Sequence, residues 1–422
     1  VIDSTPIAGC RACRGRDLHA ILDYGRTALA NRFLRADQLD QPEPKVPLRL
    51  VLCNGCGLVQ IDETVPPREL FQNYVYVTGT SDQAVRHADQ LAERIVERYQ
   101  LGDRDLVVEA ASNDGTVLKA FARRGVRTLG VEPALNITKQ AIRDGVETVA
   151  VFFGDRSANY IRERYGPASL FLARHVLAHV PDLHGFLRGA AKCLAEDGVA
   201  MVECPHLLPF YENLEFDTVY HEHMCYFSAT VLKTIGAACG LELIDVEEVE
   251  IHGGSIVVTF QPIGGPRFAT TAVEEMLDRE EAAGLTRPEP WDAFARLAGR
   301  ARDQLVAELR RLKAQGKRVA GYGAAAKGMS LLAYMGIGPD LLPYIVDKNP
   351  LKQGLHTPGH HIPVHHPDYL REDRPDVVLI LAWNFAREIV AQQQEYAARG
   401  GRFLLPLPEP RYLNPLPVKV AA

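Results

Sequence analysis

Four side chains that handle protons stand in a row at Tyr220, His221, Glu222 and His223. Imidazoles, a carboxyl and a phenol packed this densely point to acid/base chemistry near neutral pH. The histidines are two positions apart, not the four of a zinc-protease HExxH helix, so metal hydrolysis is not the reading. A polar loop without a role is the plain alternative. What the quartet would act with is suggested upstream. Residues 107–115 read Val-Val-Glu-Ala-Ala-Ser-Asn-Asp-Gly between an apolar run and an amphipathic one.

That stretch is a glycine-poor nucleotide turn. A methyltransferase turn reads acidic-x-Gly-x-Gly-x-Gly. Here Glu109 keeps the acid, Ala111 and Asn113 stand for two glycines, and Gly115 keeps the third. Small residues let the chain, including Ser112 and Asp114, pass close to a ligand, and no diphosphate needs the full glycine set. Fifteen residues on, Gly130-Val-Glu132-Pro133 ends the next apolar run, with Glu132 placed to accept ribose hydroxyls. The spacing favours S-adenosylmethionine over a dinucleotide. A third cluster lies near the start, where Cys10-Arg-Ala-Cys13 and Cys53-Asn-Gly-Cys56 set two thiol pairs at knuckle spacing. Four thiolates suit a closed, structural tetrahedral zinc, with Gly55 and Gly57 allowing the tight turn.

The elements that must hold these groups follow from periodicity. Residues 82–100 repeat apolar positions at helical spacing. From Asp105, strands expected at 106–111, 128–132, 148–152, 168–173 and 198–202 alternate with helices at 117–124, 136–144 and 187–193. That alternation predicts an α/β fold with a parallel, doubly wound sheet. Charged helices fill 270–315, and a second α/β unit starts at Arg318. The division expected is a zinc domain at 1–75, an S-adenosylmethionine domain of class I Rossmann-like type at 76–265, a helical connector at 266–315 and a C-terminal Rossmann-like domain at 316–422. At 422 residues with a net charge of −6, several domains are expected and general nucleic-acid binding is not. No apolar run approaches membrane-spanning length, and the start, Val-Ile-Asp-Ser-Thr-Pro, lacks a secretion signal's pattern, so a cytoplasmic monomer is expected.

With these motifs in place the chain resembles the zinc-containing sugar C-methyltransferases that act on TDP-4-keto-deoxysugars in antibiotic biosynthesis. The resemblance is carried by the paired CxxC start, Asn73-Tyr-Val-Tyr76, Ala111-Ser-Asn-Asp-Gly115, Val176-Leu-Ala-His-Val-Pro181, Tyr220-His-Glu-His223, His252-Gly-Gly-Ser255 and Gly321-Tyr-Gly-Ala-Ala-Ala-Lys-Gly328. It implies S-adenosylmethionine as cofactor, zinc as a structural ion, and a TDP-linked 4-ketosugar as substrate, methylated at C3. Methylating carbon needs an enolate, hence a base, donors for the oxyanion and alignment with the methyl. The resemblance carries the family's site residues onto Tyr220, Glu222, His223 and His179. His223 is expected as the base. Tyr220 and His179 are expected to donate to the enolate oxygen, and Glu222 to orient an imidazole or hold the sugar. Tyr74 or Tyr76 completes the pocket, with Tyr74 favoured. Arg174-His175 and Met224-Cys225 depart from the family pattern and leave the sugar's substituents open.

Gly321–Gly328 follows a strand and opens a helix, which makes it a dinucleotide-like turn. The TDP portion is expected there, on Tyr322, Lys327, Lys348 and Asn349, with Trp383, Asn384 and His221 as further substrate contacts. Two other functions remain open: methylation of a different activated ketone, and a nicotinamide-dependent oxidoreductase using this turn with Asp347 on the ribose. A zinc-bearing module without catalysis is the non-enzymatic alternative.

Overall fold

The computed structural model describes residues 2–71, 79, 82–250 and 253–413. Its strands in chain order are β1 (Thr5–Pro6), β2 (Leu18–Thr27), β3 (Val46–Cys53), β4 (Val59–Ile61), β5 (Glu63–Thr64), β6 (Leu106–Ala110), β7 (Arg127–Val131), β8 (Thr148–Val149), β9 (Ala168–Arg174) and β10 (Leu194–Pro205). They continue with β11 (Cys225–Tyr226), β12 (Leu241–Val249), β13 (Ser255–Pro262), β14 (Val319–Tyr322), β15 (Ile345–Val346), β16 (Val364–His365), β17 (Val377–Ile380), β18 (Arg402–Leu405) and β19 (Arg411–Leu413).

The seven-stranded middle sheet runs β12-β13-β10-β9-β6-β7-β8. Its interior strand β6, Leu106-Val-Val-Glu-Ala110, is buried along its whole length, as a parallel strand covered on both faces must be. The strands from β10 to β8 are parallel, but β13 pairs antiparallel with both β10 and β12. The sheet is therefore mixed, which corrects the all-parallel expectation. β12 and β13 are joined without a crossover helix, and two strands so joined can only return antiparallel. The helix Asp82–Tyr99 buries Ala88, Leu91, Ala92 and Ile95, and its Arg98 is paired with Asp245 and Glu247 of β12. A helix at Asp155–Tyr165, not expected from periodicity, precedes β9; only Ala158 and Ile161 of it are buried, so its apolar stripe is thin.

The C-terminal sheet, β16-β15-β14-β17-β18-β19, is parallel except at β19. Between the two large sheets run the helices Thr271–Ala283 and Pro288–Ala314. The second is more than a spacer. Its Trp291 and Phe294 are wholly buried and stack against Phe210 and Tyr211 of the middle part, and its Asp292 meets His19 of β2. One apolar cluster runs unbroken through all parts of the chain.

The polar quartet is positioned by this continuity. β11, just after His223, forms the edge of the four-stranded N-terminal sheet β11-β4-β3-β2, with Cys225 opposite Gln60 and Tyr226 opposite Val59. Leu34 and His356 form an isolated bridge that ties the N-terminal part to the C-terminal one.

Candidate active site and zinc knot

The four thiols meet at one point. All four Sγ atoms lie within 4.8 Å of one another, with Cys10–Cys56 at 3.6 Å and Cys13–Cys53 at 3.4 Å. Zinc bonded at about 2.3 Å to a tetrahedron of sulfurs separates them by roughly 3.8 Å, so the donor set fits. The amides of Ala12 and Gly15 aim at Cys10 and Cys13 Sγ, 3.4 Å each, as thiolates require. Gly57 has a positive φ of 78° that closes the second knuckle; Gly55 does not, and the space beside it would take a methyl group. Behind the first knuckle, buried Arg11 donates to the carbonyls of Ile61 and Glu63 and to Thr64 Oγ1. Four protein ligands leave no open position, so this centre braces the sheet and does no chemistry.

The turn after β6 adopts the shape its missing glycines would give. Ala111, Asn113 and Gly115 all have left-handed φ, at 54°, 51° and 73°. Alanine in that region costs about 1–2 kcal/mol, while asparagine and glycine tolerate it. Glu132, at the end of β7, spans the turn: its two carboxylate oxygens accept the amides of Asn113 and Ala134, at 3.0 and 2.8 Å. It is buried, and burial raises its pKa against the pull of those amides. Asp114 accepts from Thr116 Oγ1 and from the amide of Gly79. Gly130 lies so close under the turn that a Cβ there would stand 2.5 Å from Ser112 Oγ.

Two polar atoms in this turn have no partner among the described residues, Glu109 Oε2 and Ser112 Oγ. Burial pushes the Glu109 pKa up to about 8, with Arg174 opposing and Asp114 adding to the rise. A carboxyl kept this way is one that a cationic ligand would stabilise. S-adenosylmethionine brings such charge in its ammonium and sulfonium groups, so the donor set fits it.

β9 lies beside β6 in parallel, with Ala173 opposite Ala110. The carboxyl end of β9 therefore adjoins the turn, and His179 follows five residues on. His179 Nδ1 lies 2.6 Å from the carbonyl of Glu222. A carbonyl only accepts, so Nδ1 carries the proton and Nε2 presents a lone pair. Enclosure by protein lowers the pKa of this ring to about 4. Donation from His179 to an enolate oxygen, expected from the sequence, is thus corrected: the neutral ring has an acceptor, not a donor, to offer at Nε2.

The quartet splits by burial. Tyr220 and His223 are partly accessible, whereas His221 and Glu222 are buried. His223 Nδ1 donates to the carbonyl of Thr218 at 3.0 Å, and Tyr220 donates its hydroxyl to His223 Nε2 at 2.8 Å. The rings of His179 and His223 are 5.0 Å apart. His221, expected to touch substrate, does not: it is 1% exposed and its Nε2 donates to the carbonyl of Pro47. Burial keeps it neutral, with a pKa lowered to about 4. Glu222 orients an imidazole through its carbonyl rather than its carboxylate. The carboxylate accepts from Asn31 Nδ2 at 2.8 Å, and burial raises its pKa to about 7 against Asn31 and Lys352. Tyr74, Tyr76 and His252 lie outside the described residues. Phe71, next to the first two, stacks edge-on with His179 at 5.5 Å.

The C-terminal turn is closed by its own side chains. The amide of Ala324, where a phosphate would sit, donates to Asp347 Oδ2 at 2.6 Å. Asp347 thus spans this turn as Glu132 spans the first, with its other oxygen accepting the amide of Asn349. Gly321, Gly323 and Gly328 are explained by the packing of Ile345, Ala382 and Leu381 against them. Lys327 lies 4.0 Å over the Trp383 ring, and Trp383 Nε1 donates to Asp217 Oδ2 at 2.7 Å. Lys348 faces Glu388 at the surface, and the Asn349 side chain caps the amide of Leu351. Tyr322 is a core residue of this sheet, and buried Asn384 Oδ1 has no partner among the described residues. Lys327 and Trp383 thus meet, whereas Lys348 and Asn349 engage partners of their own.

Sequence reasoning missed several residues that the fold brings in. Thr218 fixes the tautomer of His223 with a backbone carbonyl, which no side-chain pattern reveals. Asn31 and Lys352 approach Glu222 from distant parts of the chain. Arg174 and His175 converge on buried Glu203 of β10 at 2.7 and 2.9 Å. Burial opposes charge on Glu203, yet His175 and Arg174 hold its pKa well below the usual range. The unusual Arg-His pair before Val176 was the available signal for that network.

Three sequence-family models match the chain. A zinc binding domain matches residues 10–71, a methyltransferase domain 84–246 and a C-methyltransferase C-terminal domain 250–408. The C-methyltransferase NovU of Streptomyces niveus is 39% identical over 409 residues, covering 97% of both chains. Among solved structures, an S-adenosylmethionine-dependent methyltransferase from Clostridium acetobutylicum overlays at a TM-score of 0.35 with 11% identity, over 43% of this chain and 92% of that one. The Burkholderia thailandensis 1,6-didemethyltoxoflavin-N1-methyltransferase, solved with S-adenosylhomocysteine, overlays at 0.32 with 19% identity, over 43% and 80%. Neither overlay is close enough to bear on function.

Proposed function

Because this chain belongs to the zinc-binding, S-adenosylmethionine-dependent C-methyltransferases, we propose that it methylates C3 of a TDP-linked 4-ketosugar through an enolate, with His223 taking the proton. Bound S-adenosylmethionine supplies an electrophilic methyl group. The protein's residues must then produce and hold the carbanion equivalent.

The observation that carries this reading is the tautomer of His223. Its Nδ1–H is committed to the Thr218 carbonyl, so the basic lone pair is at Nε2, against the Tyr220 hydroxyl. In the proposed reaction the proton next to the ketone passes to Nε2, either directly after Tyr220 swings aside or through the phenol. The imidazolium remains bonded to Thr218. Tyr220 then donates to the enolate oxygen. His179, whose Nε2 accepts, would hold a sugar hydroxyl rather than the oxyanion. The roles of Tyr74 and Tyr76 rest on the family resemblance. The cofactor seat would comprise Glu109, the backbone of 111–115, Glu132 and Pro133. The adjacency of β6 and β9 supports a cleft shared with His179 and His223. We also propose that the parts 1–75, 76–265, 266–315 and 316–422 divide the work as brace, cofactor domain, connector and substrate-holding domain.

The test is a panel of TDP-ketosugars incubated with enzyme and S-adenosylmethionine, followed by mass. Gain of one methylene on a 4-ketosugar, located at C3 by NMR, is the expected result. Methylation at oxygen or nitrogen only, or of non-sugar ketones only, would sink the proposal.

A further inference from the structure

The short turn Phe216–Thr218 leads into the quartet. Hydroxyl groups from three other elements hold it and the residue after it. Tyr24 Oη of β2 donates to the Phe216 carbonyl at 2.6 Å, and Ser330 Oγ of the helix Ala326–Met335 donates to the Val219 carbonyl. Tyr226 Oη of β11 donates to the Thr218 carbonyl at 3.1 Å. This last acceptor is shared, because the Thr218 carbonyl also takes the Nδ1–H of His223 at 3.0 Å. A carbonyl oxygen has two lone pairs, enough for both donors.

Tyr226 is itself firmly anchored. Its backbone pairs with Val59 of β4, just past the second zinc knuckle. Its ring is 5% exposed and lies 5.0 Å from Phe210, which stacks on Phe294 of the helix Pro288–Ala314. Burial, with Cys225 and Asp217 adding to it, raises the phenol's pKa well above its ordinary value, so the hydroxyl keeps its proton and remains a donor. Thr218 lies outside any strand ladder, so an anchored side chain is what can aim its carbonyl. The opposite end of the His223 ring does not decide the tautomer. The Tyr220 hydroxyl at Nε2 can donate or accept, whereas the Thr218 carbonyl only accepts. The nearby His179 ring, 5.0 Å away, is neutral.

We infer that Tyr226 is a positioning residue for the proposed base: its hydroxyl holds the Thr218 carbonyl where that carbonyl keeps His223 in the Nδ1–H tautomer, with Nε2 as the proton acceptor. This rests on the assignment of His223 as base above.

The test uses full-length, zinc-loaded protein labelled with nitrogen-15 in histidine, the His223 signals being identified by their loss in His223→Asn. In the parent protein Nδ1 should read as protonated and Nε2 as unprotonated. Tyr226→Phe keeps the ring and deletes only the hydroxyl; melting temperature and zinc content check its fold. In this variant the Nε2 signal should move toward the protonated position. Its kcat for methyl transfer should fall roughly three- to tenfold, as for loss of one buried hydrogen bond, with KM and S-adenosylmethionine affinity unchanged. Tyr24→Phe deletes a hydroxyl from the same turn but not from the Thr218 carbonyl, and should leave the His223 signals in place. Parent-like signals or parent-like kcat in Tyr226→Phe, a loss carried by KM, or an equal signal shift in Tyr24→Phe would overturn this inference. The base assignment would still stand if His223→Asn loses deuterium wash-in at the carbon next to the ketone. Undiminished wash-in in His223→Asn, or a parent protein whose neutral His223 ring is protonated at Nε2, would overturn both.

Discussion

Replacing His223 by asparagine tests the proton acceptor with little disturbance to the fold. The asparagine amide lies about where Nδ1–H was and can still donate to the Thr218 carbonyl, while the atom that accepts from Tyr220 is deleted. A positioned base contributes about 10²- to 10⁴-fold, or roughly 3–5 kcal/mol of barrier. Turnover should fall by that factor, with S-adenosylmethionine affinity within about twofold, since His223 is remote from the turn at 111–115 in sequence. Tyr220→Phe supplies the comparison. If the phenol only orients the ring, its loss removes one part-buried hydrogen bond, about 0.5–1.5 kcal/mol, and turnover drops roughly two- to tenfold. If the proton travels through the phenol, the drop matches that of His223→Asn. The assay is single-turnover methyl transfer together with deuterium wash-in at the carbon next to the ketone, run without cofactor. Wash-in catalysed by the parent protein and lost in His223→Asn is expected. Turnover of His223→Asn within tenfold of the parent protein, or a larger loss in His179→Asn, would refute the assignment and move the base to His179, whose Nε2 also presents a lone pair.

Three further outcomes follow from the geometry. Cys53→Ser should abolish stoichiometric zinc and lower the melting temperature, because the metal joins the two knuckles that hold β2 and β3; metal analysis and calorimetry read both. Glu109, Glu215 and Glu222 all have folded pKa values raised by burial, to about 8, 8 and 7, against an ordinary 4.5. The folded state thus binds more protons than the unfolded one between pH 4.5 and 8, so cofactor-free protein should lose stability as pH rises through that window. Glu222→Gln should flatten part of the slope and be more stable than the parent protein by about 1–2 kcal/mol at pH 8 in urea titrations; equal pH dependence of the two proteins would contradict the raised pKa. Gly130→Ala sets a Cβ at 2.5 Å from Ser112 Oγ and should weaken S-adenosylmethionine binding by roughly tenfold, measured by calorimetry, while zinc content is unchanged.

The sequence by itself determined the chemistry-bearing local units. Knuckle spacing identified the four thiolates, because two sulfurs on one tight turn are a local matter. The strand–turn–helix at 106–122 was legible with two glycines missing, because small residues suffice where the backbone must pass close to a ligand. The left-handed φ of Ala111 and Asn113 agrees with that reading. Tertiary structure alone decided which members of the quartet stay partly accessible. His221 and Glu222 are adjacent to Tyr220 and His223 and chemically similar to them, yet contacts with Pro47 and Asn31 draw them inward. Those contacts join residues more than 170 positions apart, and no local pattern encodes them. The same holds for the C-terminal turn, whose glycines mimic a phosphate cradle in sequence. Which carboxylate reaches across such a turn is settled by the fold, and here Asp347, 23 residues on, holds the amide of Ala324.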